Sequence, residues 1–414
     1  MSERSTKNQH TVGTAVMLGG TVFSIIAVYV FQVVSSRTLG PDAFASVGVL
    51  WTVMFLVFTI AMIPVEQFIT RRLVHDGGST TGLRNDRLVI LGVFGLAIAV
   101  GTGFVAATLD LFFEGDVRWI ALASVMFINR SILATARGFL AGRWRFVSYG
   151  LAAVVEAIAL LAIGAAAAFG ASTALSFAVA MTLAPLAILV LRPFRDTASD
   201  VQPTNDTLLG AGASFLGFYV VASAASQLII AGGPIIVGFI GGTSVAVSVY
   251  FITFTLFRGP ITSSYNLIAR VLPDFTRLAA NREESQLAAW SKRFAAGGVV
   301  LGAAGFVAAG LLGPWIITVL YGAEFAPERL PAALGGGAVG VGLAALFSGQ
   351  VLVARGRTEV LAGSWIVGLV AAGVAILLVH SDPVTRVAAG FAAGEATALV
   401  ALTISGVSIA RTRT

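Results

Sequence analysis

Long apolar runs alternate with short polar breaks along the chain, and twelve runs can be read off in order. They fall near 12–36, 44–68, 88–113, 117–140, 147–169 and 172–191, then resume near 208–239, 243–268, 293–320, 331–354, 359–379 and 384–409. Each approaches or exceeds the roughly 20 residues that an α-helix needs to cross a bilayer. The runs are continuously apolar, without the two-residue alternation of a membrane β-barrel, so the pattern predicts an all-α integral membrane protein with twelve transmembrane helices. Small residues recur within them, as in Gly138-Phe-Leu-Ala-Gly142 and Gly298-Val-Val-Leu-Gly302, a spacing that suits close helix–helix contact. The polar start, Met1 to His10, leads directly into the first run without a small-residue cleavage site. That run therefore reads as a retained span and not as a secretory signal.

Composition sharpens this picture. Of 414 residues, 57% are hydrophobic and 11% charged, where a soluble domain carries about 25% charged. A soluble fold of this size has no place for so much apolar surface, whereas lipid can solvate it. The chain has no cysteine, which excludes disulfides and thiolate metal sites. His10, His75 and His380 stand in polar stretches between runs and read as solvated loop residues, not as ligands. No metal or other cofactor is expected. The only lysines, Lys7 and Lys292, lack the context of a phosphate-cradling Gly-x-x-x-x-Gly-Lys-Ser/Thr loop, so ATP hydrolysis by this polypeptide is not expected.

The net charge of +6 would suit nucleic acid if it formed one patch, but its distribution follows the spans instead. With the N-terminus placed in the cytoplasm, twenty basic residues fall in inside loops and the adjoining span ends. Only Arg37, Arg118, Arg329 and Arg386 fall outside, and Arg130 and Arg258 remain within spans, which accounts for all 26. This is the asymmetry of the positive-inside rule, and it predicts that both termini are cytoplasmic. Nucleic acid is not an expected partner.

The stretch from Arg192 to Asp206 is polar and carries two prolines, the most linker-like segment of the chain. It divides the spans into an N-terminal six-helix lobe over 1–195, a linker over 196–207 and a C-terminal six-helix lobe over 208–414. Sliding the first half by 201 residues places Gly40 on Gly241, Ala45 on Ala246 and Thr52 on Thr253. Each half begins with a long span that ends at a glycine turn. An even number of spans per half implies parallel repeats, with a cavity between two bundles as the physical basis for alternating access.

Several short segments carry a resemblance. Arg37-Thr-Leu-Gly40-Pro-Asp-Ala-Phe44 looks like the loop after the first span of Wzx-type polysaccharide flippases, and Arg137-Gly-Phe-Leu-Ala-Gly-Arg-Trp-Arg-Phe146 resembles the end of their fourth. Leu272-Pro273-Asp-Phe-Thr-Arg277 is similar to their segment after the eighth span. Leu320-Tyr-Gly322-Ala-Glu-Phe325, with Val353-Ala-Arg-Gly-Arg357, looks like their ninth-to-eleventh-span region. The matches occur in the family's order and cover almost the whole chain. The resemblance implies membership of the multidrug/oligosaccharidyl-lipid/polysaccharide (MOP) exporter superfamily and two six-helix bundles in the cell membrane. It also implies movement of a polyprenyl-pyrophosphate-linked oligosaccharide from the inner to the outer leaflet for cell-surface polysaccharide biosynthesis. The implied partners are that glycan carrier, membrane lipid, a polysaccharide polymerase and glycosyltransferases, with the chain itself working as a monomer.

Ionisable groups inside a membrane are expensive and mark function or helix pairing. Arg130 and Arg258 come from opposite halves. An arginine stays protonated and offers a planar fork to phosphate oxygens, so the two could meet one pyrophosphate head group. Gln32, Asn129, Gln227 and Asn266 could supply hydrogen bonds to sugars. Glu156, Glu395 and Glu66 could balance charge or carry a coupling ion. The competing arrangement pairs Arg130 with Glu156 and Arg258 with Glu395 within their own bundles, and Glu66 with Arg71 near the inner surface. Pro64 and Pro260 interrupt spans two and eight and are candidate hinges. Asp274 to Trp290 is expected to form an interfacial helix with Leu278, Leu287 and Trp290 toward lipid. Two other functions compete with the flippase: an ion-coupled multidrug exporter of the same superfamily, which prefers acidic cavity residues, and a membrane-embedded glycosyltransferase or ligase. The loops here are too short for the catalytic domain that such an enzyme usually carries, so no enzymatic activity is expected.

Overall fold

The computed structural model describes residues 3–75, 79–80, 83–84, 86–195 and 212–413. The expected linker over 196–207 lies outside them. The chain divides into two compact units, Met1–Thr207 and Leu208–Thr414, and every regular element described in either is a helix.

The first unit opens with α1, Glu3–Val57, which is not one straight rod. At Gly40 the backbone leaves helical geometry, with φ 71° and ψ 170°, and Pro41 follows. Nothing lies within 4 Å of where a Cβ on Gly40 would stand, so it is the positive φ, not crowding, that calls for glycine here. A π-helical turn, Phe58–Met62, leads into α2, Ile63–His75. Pro64 lacks an N–H, and just before it the Ile63 N–H reaches back five residues to the Phe58 carbonyl, so the interruption is taken up as a widened turn. There follow α3 (Arg87–Ala107), the short α4 (Leu109–Phe112), α5 (Arg118–Gly142), α6 (Phe146–Phe169) and α7 (Ala174–Leu183). Thr173 and Ser176 form a reciprocal capping box at the start of α7. The sixth run ends as a tighter 3₁₀ helix, Ala184–Leu191, with a proline in its first turn.

The second unit opens with α8 (Gly212–Ala231) and α9 (Gly233–Phe239), bent by 65° at the intervening glycine. Gly241, with φ 88°, turns the chain after this first span, as Gly40 does in the first unit. Next come α10 (Ser244–Phe257) and α11 (Gly259–Ala280), which meet at Arg258 with Pro260 in the first turn of α11. The unit is completed by α12 (Glu284–Tyr321), α13 (Arg329–Ala354), α14 (Thr358–Leu378) and α15 (Pro383–Arg413).

Among the described residues nine helices are long and apolar enough to cross a membrane, or ten if the bent pair α8–α9 is one span. One of the nine is the continuous stretch Gly19–Val74, 56 residues long. At 1.5 Å per residue a straight helix of that length would measure about 84 Å, nearly three hydrocarbon thicknesses. The interruption at Gly40 removes that difficulty.

Two helices of the second unit pack through their backbones. A Cβ placed on Gly305 of α12 would stand 2.3 Å from the Gly336 carbonyl oxygen of α13, and one on Gly340 would stand 2.4 Å from the carbonyl of Leu301. Large apolar side chains on the other faces of α12, such as Val299, Leu311 and Trp315, are exposed, as lipid-facing residues must be. The interfacial helix expected over Asp274 to Trp290 does not form. Residues 281–283 break the chain between α11 and α12, with Arg282 at φ 59°. Leu278 packs against a small core of Phe275, Leu287 and Val351, and Trp290 lies against the rings of Phe275 and Phe294. Of the three residues expected to face lipid, Leu287 is buried and Leu278 partly covered by this core, while Trp290 remains exposed.

Candidate functional site

In the first unit, α5 and α6 run antiparallel and carry polar groups at matched heights. Arg130 and Arg137 are seven residues apart on α5, as are Tyr149 and Glu156 on α6. Seven residues are two helical turns, so each pair shares a face and its members stand about 10 Å apart. Arg130 donates to Glu156 at 2.6 Å, with both side chains largely buried, and its guanidinium lies 5.7 Å from the centre of the Phe58 ring in the π-turn. One rung further along, Arg137 donates through Nε to Glu66 at 3.0 Å and through Nη2 to the Tyr149 hydroxyl at 2.7 Å. Tyr149 in turn donates to the other oxygen of Glu66 at 2.8 Å. Glu66 thus has both oxygens occupied from α5 and α6.

One reading changes here. Glu66 engages Arg137 and Tyr149 instead of Arg71, while Arg72 pairs with Asp86 at 3.0 Å. The paired arrangement of Arg130 with Glu156 is the one present. Asn129 is buried and donates to the Thr182 carbonyl at 2.7 Å, bracing α5 against α7. Gln32 is 1% exposed, and neither its amide nitrogen nor its oxygen has a hydrogen-bond partner. Leaving such a group unsatisfied costs about 1–3 kcal/mol.

In the second unit Arg258 is 7% exposed and sits at the junction of α10 and α11, where it is both the last cap of one helix and the first of the next. Gln227 on α8 is also buried. The side chain of Asn266 lies outside the described residues. Glu395 of α15 is 0% exposed, and neither carboxyl oxygen has a hydrogen-bond partner, so the expected pairing with Arg258 is not formed. Its carboxyl group lies against α13, 2.9 Å from where a Cβ on Gly342 would stand, and that same position is 3.3 Å from Ile261, just past the Pro260 break. An unnoticed pair lies near the end of the same unit: Arg355 meets Glu284 at 2.6 Å and donates to the Gly406 carbonyl at 2.7 Å, tying the end of α13 to α12 and α15. Among the described residues no group of acids and histidines could hold a metal ion.

These features define a multi-pass membrane protein. An inward-facing multidrug resistance MATE family transporter of the MOP superfamily superposes with a TM-score of 0.63 at 15% identity, covering 93% of both chains. The lipid II flippase MurJ, in an inward closed conformation, gives 0.61 at 13% identity over 94% of this chain and 87% of that one. A MATE protein in complex with MaL6 gives 0.58 at 15% identity over 97% and 95%. These neighbours are transporters or flippases, not enzymes.

In sequence, the chain is 28% identical over 425 residues to a protein of Mycobacterium bovis described as uncharacterised, covering 97% of this chain and 91% of that protein. A Mycobacterium tuberculosis protein described in the same way is 28% identical over 379 residues, covering 86% and 83%. No family model matches the chain.

Proposed function

We propose that this chain is a flippase of the MOP superfamily, of the Wzx type, that moves a polyprenyl-pyrophosphate-linked oligosaccharide from the inner to the outer leaflet. The observation that carries this reading is a fold shared with a lipid flippase over nearly the whole chain, joined to a buried guanidinium at a helix break. Arg258 receives the pyrophosphate, and the break at Gly259-Pro260 lets its helix bend as the carrier passes. In the first unit, Arg130 is the corresponding guanidinium, already paired with Glu156. Gln32, whose amide is unused, together with Gln227, Asn129 and Asn266, contacts sugar hydroxyls. The chain crosses the membrane twelve times, with both ends in the cytoplasm, and acts beside a polymerase and glycosyltransferases.

Deletion of the gene is expected to abolish surface polysaccharide while lipid-linked precursor accumulates on the inner leaflet. Complementation with Arg258→Gln should restore less than about a tenth of export, the scale of one lost charge-assisted contact of 1.5 kcal/mol or more, and Arg258→Lys should restore part of it. Normal export in the deletion strain would sink the proposal.

A specific observation supports a second reading, an ion-coupled multidrug exporter: Glu395 is a buried carboxyl group without a partner. An unpartnered carboxylate in such a site costs several kcal/mol, which makes Glu395 the group that would take a coupling ion in this reading. Drug susceptibility of the deletion strain, and ion-driven drug uptake into vesicles abolished by Glu395→Gln, would favour the exporter over the flippase.

A further inference from the structure

Two segments far apart in sequence meet at one end of the first unit. Arg143 and Arg145 follow α5, while Arg192 and Arg195 follow the 3₁₀ helix that closes the unit. Arg143 donates to the Arg195 carbonyl at 3.0 Å, and Arg145 donates to the carbonyls of Arg192 at 2.9 Å and Leu191 at 2.9 Å. These bonds satisfy the orphan carbonyls at a helix end, and in doing so they gather four guanidinium-bearing residues at one place. The side chains of Arg192 and Arg195 are exposed. Burial, together with the charges of Arg143 and Arg195, holds the Arg145 pKa below the usual arginine value, a sign that like charges crowd here. Among the described residues, the acids toward this end are engaged elsewhere, Glu66 by Arg137 and Asp86 by Arg72.

Aromatic side chains flank the cluster. Trp144 is 52% exposed and Phe194 46% exposed. Each is held at a fixed angle by a neighbour, Trp144 by Phe146 with ring centres 5.7 Å apart and Phe194 by Phe139 at 5.3 Å. Exposed aromatics beside guanidinium groups are the signature of the membrane–water boundary, where rings sit at headgroup depth and cations meet lipid phosphate.

We propose that this Arg143–Arg145 and Arg192–Arg195 cluster is a binding site for the phosphate headgroup of a resident anionic phospholipid, with Trp144 and Phe194 bracketing the headgroup from the lipid side. Such a lipid would fix this end of the unit at the headgroup plane. Absence of the site would leave the flippase reading standing.

The test uses native mass spectrometry of the full chain released from detergent micelles. The protein is titrated with dioleoylphosphatidylglycerol and, separately, with dioleoylphosphatidylcholine. The wild type is expected to retain the anionic lipid at roughly tenfold lower concentration. Arg192→Gln with Arg195→Gln removes two charges but none of the hydrogen bonds given above. It should bring the two lipids to about equal retention while leaving the thermal melting curve unchanged. Arg118→Gln, at the opposite end of α5, should keep the preference. Equal retention of both lipids by the wild type, or an undiminished preference in the double variant, overturns the proposal. Polyprenyl monophosphate added as competitor separates the sources: displacement only at concentrations comparable to the phospholipid supports a resident lipid. Displacement at tenfold lower concentration assigns the site to the carrier and overturns it.

Discussion

Removing the Arg137 guanidinium would leave the Glu66 carboxylate and the Tyr149 hydroxyl without the cation that joins them. Arg137→Leu is expected to lower stability by about 2–3 kcal/mol, because it strands a buried carboxylate. Glu66→Gln in the same chain should recover part of the loss, with a coupling of about 1–2 kcal/mol between the two positions. Thermal unfolding of purified protein, followed by circular dichroism, reads both; additive effects would show that the network carries no joint energy. Part of this network was legible in the sequence, since Arg130 and Glu156 lie on consecutive spans and are among the few ionisable groups in them. Glu66 was not. Its neighbour at five residues, Arg71, points well around the helix from it, and only the approach of α5 brings Arg137 to its side. The seven-residue repeats of Arg130 with Arg137 and Tyr149 with Glu156 were the available signal. For Arg258 and Glu395, likewise, the sequence named both groups but not their separation.

Helix ends and helix contacts answer to different features. Asp382 stands just before α15 and accepts the backbone N–H groups of Val384 at 2.9 Å and Thr385 at 3.1 Å. Burial pushes its pKa up, but the hydrogen bonds from Thr385, Ser381 and Val384 outweigh that and set it below the usual 3.8. Its contribution is therefore complete above about pH 4 and is lost as pH falls through the lowered folded value. Asp382→Ala should cost about 1 kcal/mol at neutral pH, and the cost should shrink as pH falls below about 4. Equal losses at neutral and acid pH, measured by thermal unfolding, would remove the carboxylate from the cap. At the contact of α12 with α13 a single methyl is decisive, because a Cβ on Gly305 meets backbone and not a yielding side chain. Gly305→Leu is expected to abolish folded protein in detergent as judged by size-exclusion chromatography, whereas Gly297→Leu, with open space around it, should behave as wild type. Glycine spacing announced this contact, but apolar periodicity misjudged the region after α11, since a buried face and a lipid face look alike in a sequence.

At the scale of the whole chain, the arrangement of basic loops makes a topological prediction that is easily read, because the chain has no cysteine to give background. In intact cells an impermeant maleimide should label Ser381→Cys but not Ser79→Cys, and both after permeabilisation. Labelling of the two from the same side would overturn the span count. The apolar runs revealed the membrane class at once, yet run length gave no warning that the first two spans join as one helical stretch interrupted at Gly40 and widened at Phe58–Met62, or that the seventh is folded by 65°. Backbone geometry at single glycines decides such things, and hydropathy averages over it.

The contact between α12 and α13 also has a mechanical meaning. Where the backbones of two rods approach this closely, with only side chains such as Val341 and Phe306 between neighbouring turns, little room is left for one rod to slide along the other. The interruptions of the second unit lie elsewhere, at the 65° bend beside Gly232 and at the helix junction of Arg258.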